Sequence, residues 1–130
     1  MNIPLLCLPI ALLLVYAPKG PFAAALAKQP EGYDNRNPRD QQAKLTGEGR
    51  RAAAAHANGF ESFPAFAAGV LASEVTHAKP NIAAILALVY IAARTIYPIL
   101  YIKDIATARS LVWTVGFTAS IALMILPLLG

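Results

Sequence analysis

Arg94 stands in the middle of an otherwise apolar run, Asn81 to Tyr101 (NIAAILALVYIAARTIYPILY). A run of this kind reads as a membrane-spanning helix, because crossing the hydrocarbon layer takes about 20 apolar residues. A guanidinium keeps its charge there, and at mid-bilayer that charge costs at least ~2.5 kcal/mol. The helix must therefore turn Arg94 toward a protein interior or a wet cavity. Tyr97 and Tyr101 follow three and seven residues later and share its face. Asn58 and Glu61 place a second polar pair in another apolar helix. Polar groups at matching depths predict a site between helices.

Composition narrows the fold class. Of the 130 residues 57% are hydrophobic and 14% charged, and the mean hydropathy is +0.52, which excludes a soluble globular domain. The length leaves room for about four spans and no separate soluble domain. The formal charge of +4 is modest and its basic residues cluster in loops, so no nucleic-acid partner is expected. The single cysteine, Cys7, has no internal disulfide partner and no basic neighbour, and reads as a buried, inert thiol. His56 and His77 lack metal-ligand spacing, so no metal is expected.

The expectation is an all-α membrane protein, a four-helix transmembrane bundle occupying residues 1–130 as one domain. The first span covers 3–27, kinked or loosened near Pro18. It reads as a retained helix, since no Lys or Arg precedes the run and Val15-Tyr16-Ala17 is a poor cleavage site. Lys28 to Thr46 is the long polar loop. The second helix covers 47–76, with Thr46 as N-cap, Glu48 in the first turn and a kink at Pro64. Its Ala and Gly content permits close helix approach. The third covers 81–102, Lys103 to Ala108 is a turn, and the fourth covers 109–129. Basic residues concentrate in the first and third loops, which the positive-inside rule makes cytoplasmic.

Along the second helix Arg51, Asn58 and Glu61 share one face. The third contributes Arg94, Tyr97 and Tyr101, and the fourth Arg109, Ser110 and Trp113. Guanidinium groups, a carboxylate, an amide and hydroxyls suit a small zwitterion bearing several carboxylates. Plainer roles fit the same residues. Glu61 and Arg94 suit a structural ion pair. Arg50, Arg51 and Arg109 suit interfacial anchors, and Trp113 a belt aromatic. His56 reads as a hydrogen-bonded packing residue, and Phe60, Phe63 and Phe66 as packing or lipid-facing.

The pattern Arg51-Ala52-x-x-x-His56-x-Asn58-x-x-Glu61-x-x-Pro64 resembles the second-helix signature of the MAPEG family, the membrane-associated proteins in eicosanoid and glutathione metabolism. Arg94-x-x-Tyr97-x-x-x-Tyr101 and Arg109-Ser110-x-x-Trp113 resemble its third and fourth helices, and Tyr33-Asp34-Asn35 with Pro38-Arg39 its short bacterial branch. The resemblance implies a homotrimer in a bacterial inner membrane, with glutathione as co-substrate held between subunits near the cytoplasmic face. Arg51, Asn58, Glu61, Arg94, Tyr97 and Tyr101 would bind it. Arg109 and Ser110 would be catalytic, stabilising its thiolate for transfer to a hydrophobic small-molecule electrophile or for reduction of a lipid hydroperoxide. The alternative is a non-catalytic protein of this fold that binds a membrane lipid or a partner protein. The chain departs from the family pattern at Ala54 and Ala57, where many members carry Arg.

Overall fold

The computed structural model describes residues 2–129. Six α-helices follow one another: α1 (Ile3–Tyr16), α2 (Lys19–Ala27), α3 (Pro38–Ala43), α4 (Gly47–Val75), α5 (Pro80–Ile102) and α6 (Ala106–Ile125). A 3₁₀ turn, Leu126–Leu129, continues α6, and no strand occurs among the described residues. Three segments are long and apolar enough to cross a membrane: Ile3–Ala27, Pro80–Ile102 and Ala106–Leu129. They mark a multi-pass integral membrane protein. Side chains on the outer faces are bulky and apolar, among them Leu13, Val75, Leu111 and Leu128, as contact with acyl chains requires.

The first apolar segment is broken at Ala17-Pro18. Proline has no N–H for the Leu14 carbonyl one turn back, and the helix restarts at Lys19. The Val15 carbonyl is met from another element: His56 on α4 places Nδ1 2.7 Å from it, and against a carbonyl that nitrogen donates. The imidazole lies among the rings of Tyr16, Phe22 and Phe60, with centroids 5.1–5.5 Å away. His56 is the packing residue its sequence context predicts.

Helices α4, α5 and α6 form the densest part of the molecule. Phe66 stacks flat on Tyr90 at 3.8 Å between centroids, and Val70, Ala87 and Leu123 complete a fully buried layer. Gly69 sets the α4–α6 distance: a Cβ there would lie 2.7 Å from Leu123 Cβ and 3.1 Å from the Ser120 carbonyl oxygen. Ser73 Oγ, one turn along, donates to the Leu123 carbonyl at 3.0 Å. Helix α4 runs unbroken through Pro64.

The structure departs from expectation in three details: one helix cap, one helix start and one added helix. Thr46 takes the N-cap position of α4 in extended backbone but makes no side-chain cap bond. Helix α6 begins at Ala106 rather than Arg109. Asp104 turns left-handed (φ 61), and the Ile105 N–H reaches back to the Leu100 carbonyl at 2.9 Å. This closes α5 in three residues, and Ala106-Thr107-Ala108 already continues as helix. The polar loop contains α3, announced by Pro38 at its first position and Asp40 in its first turn. The loop is stitched by its own side chains. Asp34 Oδ1 accepts from the N–H groups of Arg36 (2.8 Å) and Asn37 (3.1 Å). Gln41, buried, accepts from the Asp34 N–H at 3.0 Å and donates to the Gly32 carbonyl.

Two outcomes follow. Replacing Gly69 by Ala gains up to ~1 kcal/mol of helix propensity. The added methyl meets backbone atoms of α6 that no rotamer change can move, and overpacking of this kind costs ~1–3 kcal/mol. Gly69→Ala therefore lowers the thermal midpoint in detergent, and Gly69→Val lowers it further; an unchanged midpoint for both would show that α4 and α6 do not approach this closely. The two backbone N–H groups hold the Asp34 carboxyl below its ordinary value of 3.8. A depressed carboxyl supports the folded loop above that value and loses its contribution as pH falls through the lower, folded pKa. Hydrogen exchange at Arg36 and Asn37 is expected to stay slow from neutral pH to about 4 and to accelerate below it, with Asp34→Asn abolishing the transition.

Candidate functional site

Helical spacing puts each candidate side chain where it is. Asn58 and Glu61 lie one turn apart on α4, and Arg94, Tyr97 and Tyr101 make a stripe along α5. Arg109, Ser110 and Trp113 occupy the first two turns of α6. Arg94 is 8% exposed. Its Nη1 donates to Asn58 Oδ1 at 3.0 Å, and Asn58 Nδ2 donates to Glu61 Oε2 at 3.1 Å. One amide thus accepts from the cation and donates to the anion, so the two charges meet through Asn58 rather than as a direct pair. The only salt bridge among the described residues joins exposed Lys103 and Glu48 at 3.6 Å.

The Arg94 guanidinium also continues the chain of contacts toward α6. It lies 4.4 Å over the Tyr97 ring, Tyr97 meets Tyr101 edge-to-face at 5.7 Å, and Arg109 sits 4.5 Å over Tyr101. Cation–π contacts of desolvated groups contribute up to ~2 kcal/mol each, and here they also fix where the guanidinium groups point. Six residues from three helices, Glu61 to Arg109, form one connected series.

Two open grooves flank this series. One, of about 130 Å³, lies between α4 and α6 and is lined by Asn58, Glu61, Ser62, Trp113, Phe117 and Ser120. The other, of about 390 Å³, lies between α5 and α6 and is lined by Tyr97, Tyr101, Arg109, Ser110, Trp113 and Thr114. Trp113, stacked on Phe117 at 5.1 Å, is their common wall. Arg51 lies apart from both: its Nε donates to the Ile102 carbonyl at 2.9 Å, tying α4 to the C-terminus of α5, where a cation complements the helix dipole.

Ser62 and Tyr90 escaped the sequence reading. Their hydroxyls lie 3.0 Å apart, one turn deeper than Arg94. The signal was present, since Tyr90, Arg94, Tyr97 and Tyr101 repeat at four, three and four residues. Thr114, shared by the larger groove, carried no such signal. Among the described residues no group of three or more His, Cys, Asp or Glu side chains is placed to hold a metal ion.

Asn58→Ala would leave a buried guanidinium without its acceptor, which costs ~2–3 kcal/mol for a charged group. The loss is expected to shrink when Arg94→Met is made as well, because the stranded charge is then gone. Unfolding of the single and double variants in detergent measures this coupling, and strict additivity would mean that Asn58 does not hold Arg94.

No curated protein and no solved structure gives a significant match to the chain. The model of the MAPEG family does, over residues 3–129. With nearly the whole chain matched, this protein belongs to the MAPEG family, the membrane-associated proteins in eicosanoid and glutathione metabolism.

Proposed function

We propose that this protein is an integral-membrane glutathione-dependent transferase or peroxidase, acting on hydrophobic electrophiles or lipid hydroperoxides. The observation that carries the reading is the connected series from Glu61 to Arg109 with an open groove on either side of Trp113. Glu61 and Asn58 supply a carboxylate and an amide for the ammonium and peptide groups of the thiol tripeptide. Arg94 holds Asn58 in place and, with Tyr97 and Tyr101, sets the direction of Arg109. The Arg109 guanidinium and the Ser110 hydroxyl lie on one groove wall, where a cation and a hydrogen bond lower a thiol pKa from its ordinary ~8.5.

The chemistry balances without a metal. The thiol gives its proton to solvent, and the thiolate sulfur forms a bond to an electrophilic carbon, with a leaving group departing or a proton added. With a hydroperoxide, the first thiolate attacks the distal oxygen and releases an alcohol, leaving a sulfenic acid. A second glutathione converts this to the disulfide and water. Apolar substrate reaches the groove laterally from the bilayer.

The assembly belongs to the same proposal. Helix α4 is the fourth span: its 29 residues extend over ~44 Å at 1.5 Å each, longer than the hydrocarbon layer. It is less apolar than the others because its inner face carries the site. A cleft of 130 Å³ is below the ~300 Å³ of ordinary small-molecule sites, and neither groove is enclosed. A homotrimer closes them by laying a neighbouring copy across the opening. The basic loops before α4 and before α6 face the cytoplasm, in a bacterial inner membrane.

Calorimetry of the detergent-purified protein with glutathione is expected to show saturable binding at or below millimolar concentration. Arg109→Ala should lower turnover by ~10²-fold or more, as loss of a group stabilising developing charge does, with little change in binding heat. Glu61→Ala should chiefly weaken binding, by roughly tenfold for a lost charged hydrogen bond. Absence of any glutathione heat in folded protein would leave the fold without this activity.

A further inference from the structure

At the end of the bundle remote from Arg109, the start of α1, the end of α4 and the start of α5 enclose a cavity of about 340 Å³. Its polar wall is made by Asn2, Glu74, His77 and Asn81, and its apolar wall by Ile3, Pro4 and Ala84. Along α4, Glu74 lies ~20 Å beyond Glu61 and about 140° round the axis from it. The cavity therefore opens on another side of α4 and at the opposite membrane surface. Glu74 is half-buried and is held by Asn2, whose Nδ2 donates to Oε2. The same amide is anchored at its oxygen, which accepts from the Leu5 N–H at 3.0 Å and caps α1. The rim is equally fixed: His77 turns left-handed (φ 53), and the Ala78 N–H closes α4 on the Ser73 carbonyl at 2.9 Å.

Charge and depth identify the occupant. Among the described residues no Lys or Arg lines the cavity, and Glu74 has no salt-bridge partner. Lys79, in the same turn, is drawn away: its Nζ donates to the Leu129 carbonyl at 3.5 Å. A positioned carboxylate without a cation selects a positive ligand. A quaternary ammonium is recognised over aromatic faces, and no Phe, Tyr or Trp stands in the described wall. A primary ammonium instead donates hydrogen bonds, which the Glu74 carboxylate and the Asn81 amide oxygen accept. Asn2 and His77 lie outside the apolar segments Ile3–Ala27 and Pro80–Ile102, whereas Ile3, Pro4 and Ala84 lie within their first two turns. The cavity thus reaches from headgroup level into the edge of the hydrocarbon. A soluble amine would use only the polar part, and a phospholipid uses both. We infer that this cavity binds a phospholipid whose headgroup ends in a primary ammonium, with Glu74 taking the ammonium and Ile3, Pro4 and Ala84 lying against the glycerol and first methylenes. The site is independent of whether the Glu61 to Arg109 series turns over glutathione.

Native mass spectrometry of the delipidated protein, titrated with phosphatidylethanolamine, phosphatidylcholine or phosphatidylglycerol of the same chains, tests this. One phosphatidylethanolamine per chain is expected to bind about tenfold more tightly than either of the others, the worth of a charged hydrogen bond. Glu74→Gln keeps an acceptor for Asn2, which guards against misfolding, and removes only the charge. It should lower phosphatidylethanolamine about tenfold, to the level of phosphatidylcholine, and leave phosphatidylcholine unchanged. Glu48→Gln, at the other end of α4, should alter neither. Ala84→Leu should weaken the lipid without altering competition by glycerophosphoethanolamine, the same headgroup without chains. The inference is overturned if the Glu74→Gln variant, still folded by circular dichroism, keeps its preference for phosphatidylethanolamine, or if the unaltered protein shows none. It is equally overturned if glycerophosphoethanolamine binds as well as the lipid, or if Glu74→Gln changes only the oligomer mass, meaning that another copy of the chain covers the cavity.

Discussion

A guanidinium held within an apolar helical assembly sets the terms for everything around it. Arg94 retains 8% of its exposure, too little water to stabilise its charge, and the nearest carboxylate does not touch it. The gap is spanned by Asn58, whose amide accepts from Arg94 at 3.0 Å and donates to Glu61 at 3.1 Å. An amide can do this because it carries both an acceptor and donors; Asp could accept from Arg94 but, ionised, could not donate to Glu61. The cation also lies over the Tyr97 ring, 4.4 Å from its centre. Among the described residues no buried side-chain nitrogen or oxygen lacks a partner, which is the condition for such a network to add stability rather than remove it. Glu61 remains exposed, so the series is satisfied at its buried end and open at its surface end.

That arrangement requires α4 to lie close to both α5 and α6, and the packing shows how closeness is achieved. Water supplies no force between helices within a bilayer, so association depends on intimate packing and on hydrogen bonds. Gly69 lets α4 approach the α6 backbone at Ser120, and Ser73 bonds to the Leu123 carbonyl beside it. Phe66 on Tyr90 performs the same service toward α5, and the Tyr90 hydroxyl finds Ser62. Each contact fixes the rotation of α4 about its axis. A rotation of one residue, about 100°, would carry Asn58 away from Arg94. The small residues and the polar series are therefore two parts of one constraint.

Much of this was legible in residue order because it rests on periodicity. The three-and-seven spacing from Arg94 to Tyr97 and Tyr101, and the one-turn spacing of Asn58 and Glu61, survive folding unchanged, since each pair lies on one helix. Pro18 announced a break and the break is there. Relations between helices were not legible. Arg51 shares the face of Asn58 by spacing, yet it stands two turns nearer the membrane surface, where the end of α5 offers a free carbonyl, and that bond claims it. Nor did sequence show that an amide, rather than direct contact, joins Arg94 to Glu61. Helix α3 was hidden by its loop-forming neighbours, and its position depends on Gln41, whose burial no local rule foretells.

The start of α6 at Ala106 rather than Arg109 bears on the proposed chemistry. Arg109 then lies inside the first turn and a half, close to the N–H groups of Ala106, Thr107 and Ala108, which have no carbonyl one turn before them within the helix. That end of a 20-residue helix carries roughly half a positive charge. A thiolate placed beside Arg109 meets the guanidinium and the helix terminus together, and both favour the ionised sulfur. Arg109 is long and flexible, and a free side chain of that kind would collapse onto whatever anion lay nearest. Its stacking over Tyr101 at 4.5 Å ties it to α5, and Tyr101 is held in turn by Tyr97 and Arg94. The buried cation on α5 thus acts at a distance: through two rings it orients the half-buried Arg109, the cation that the proposed thiolate would meet.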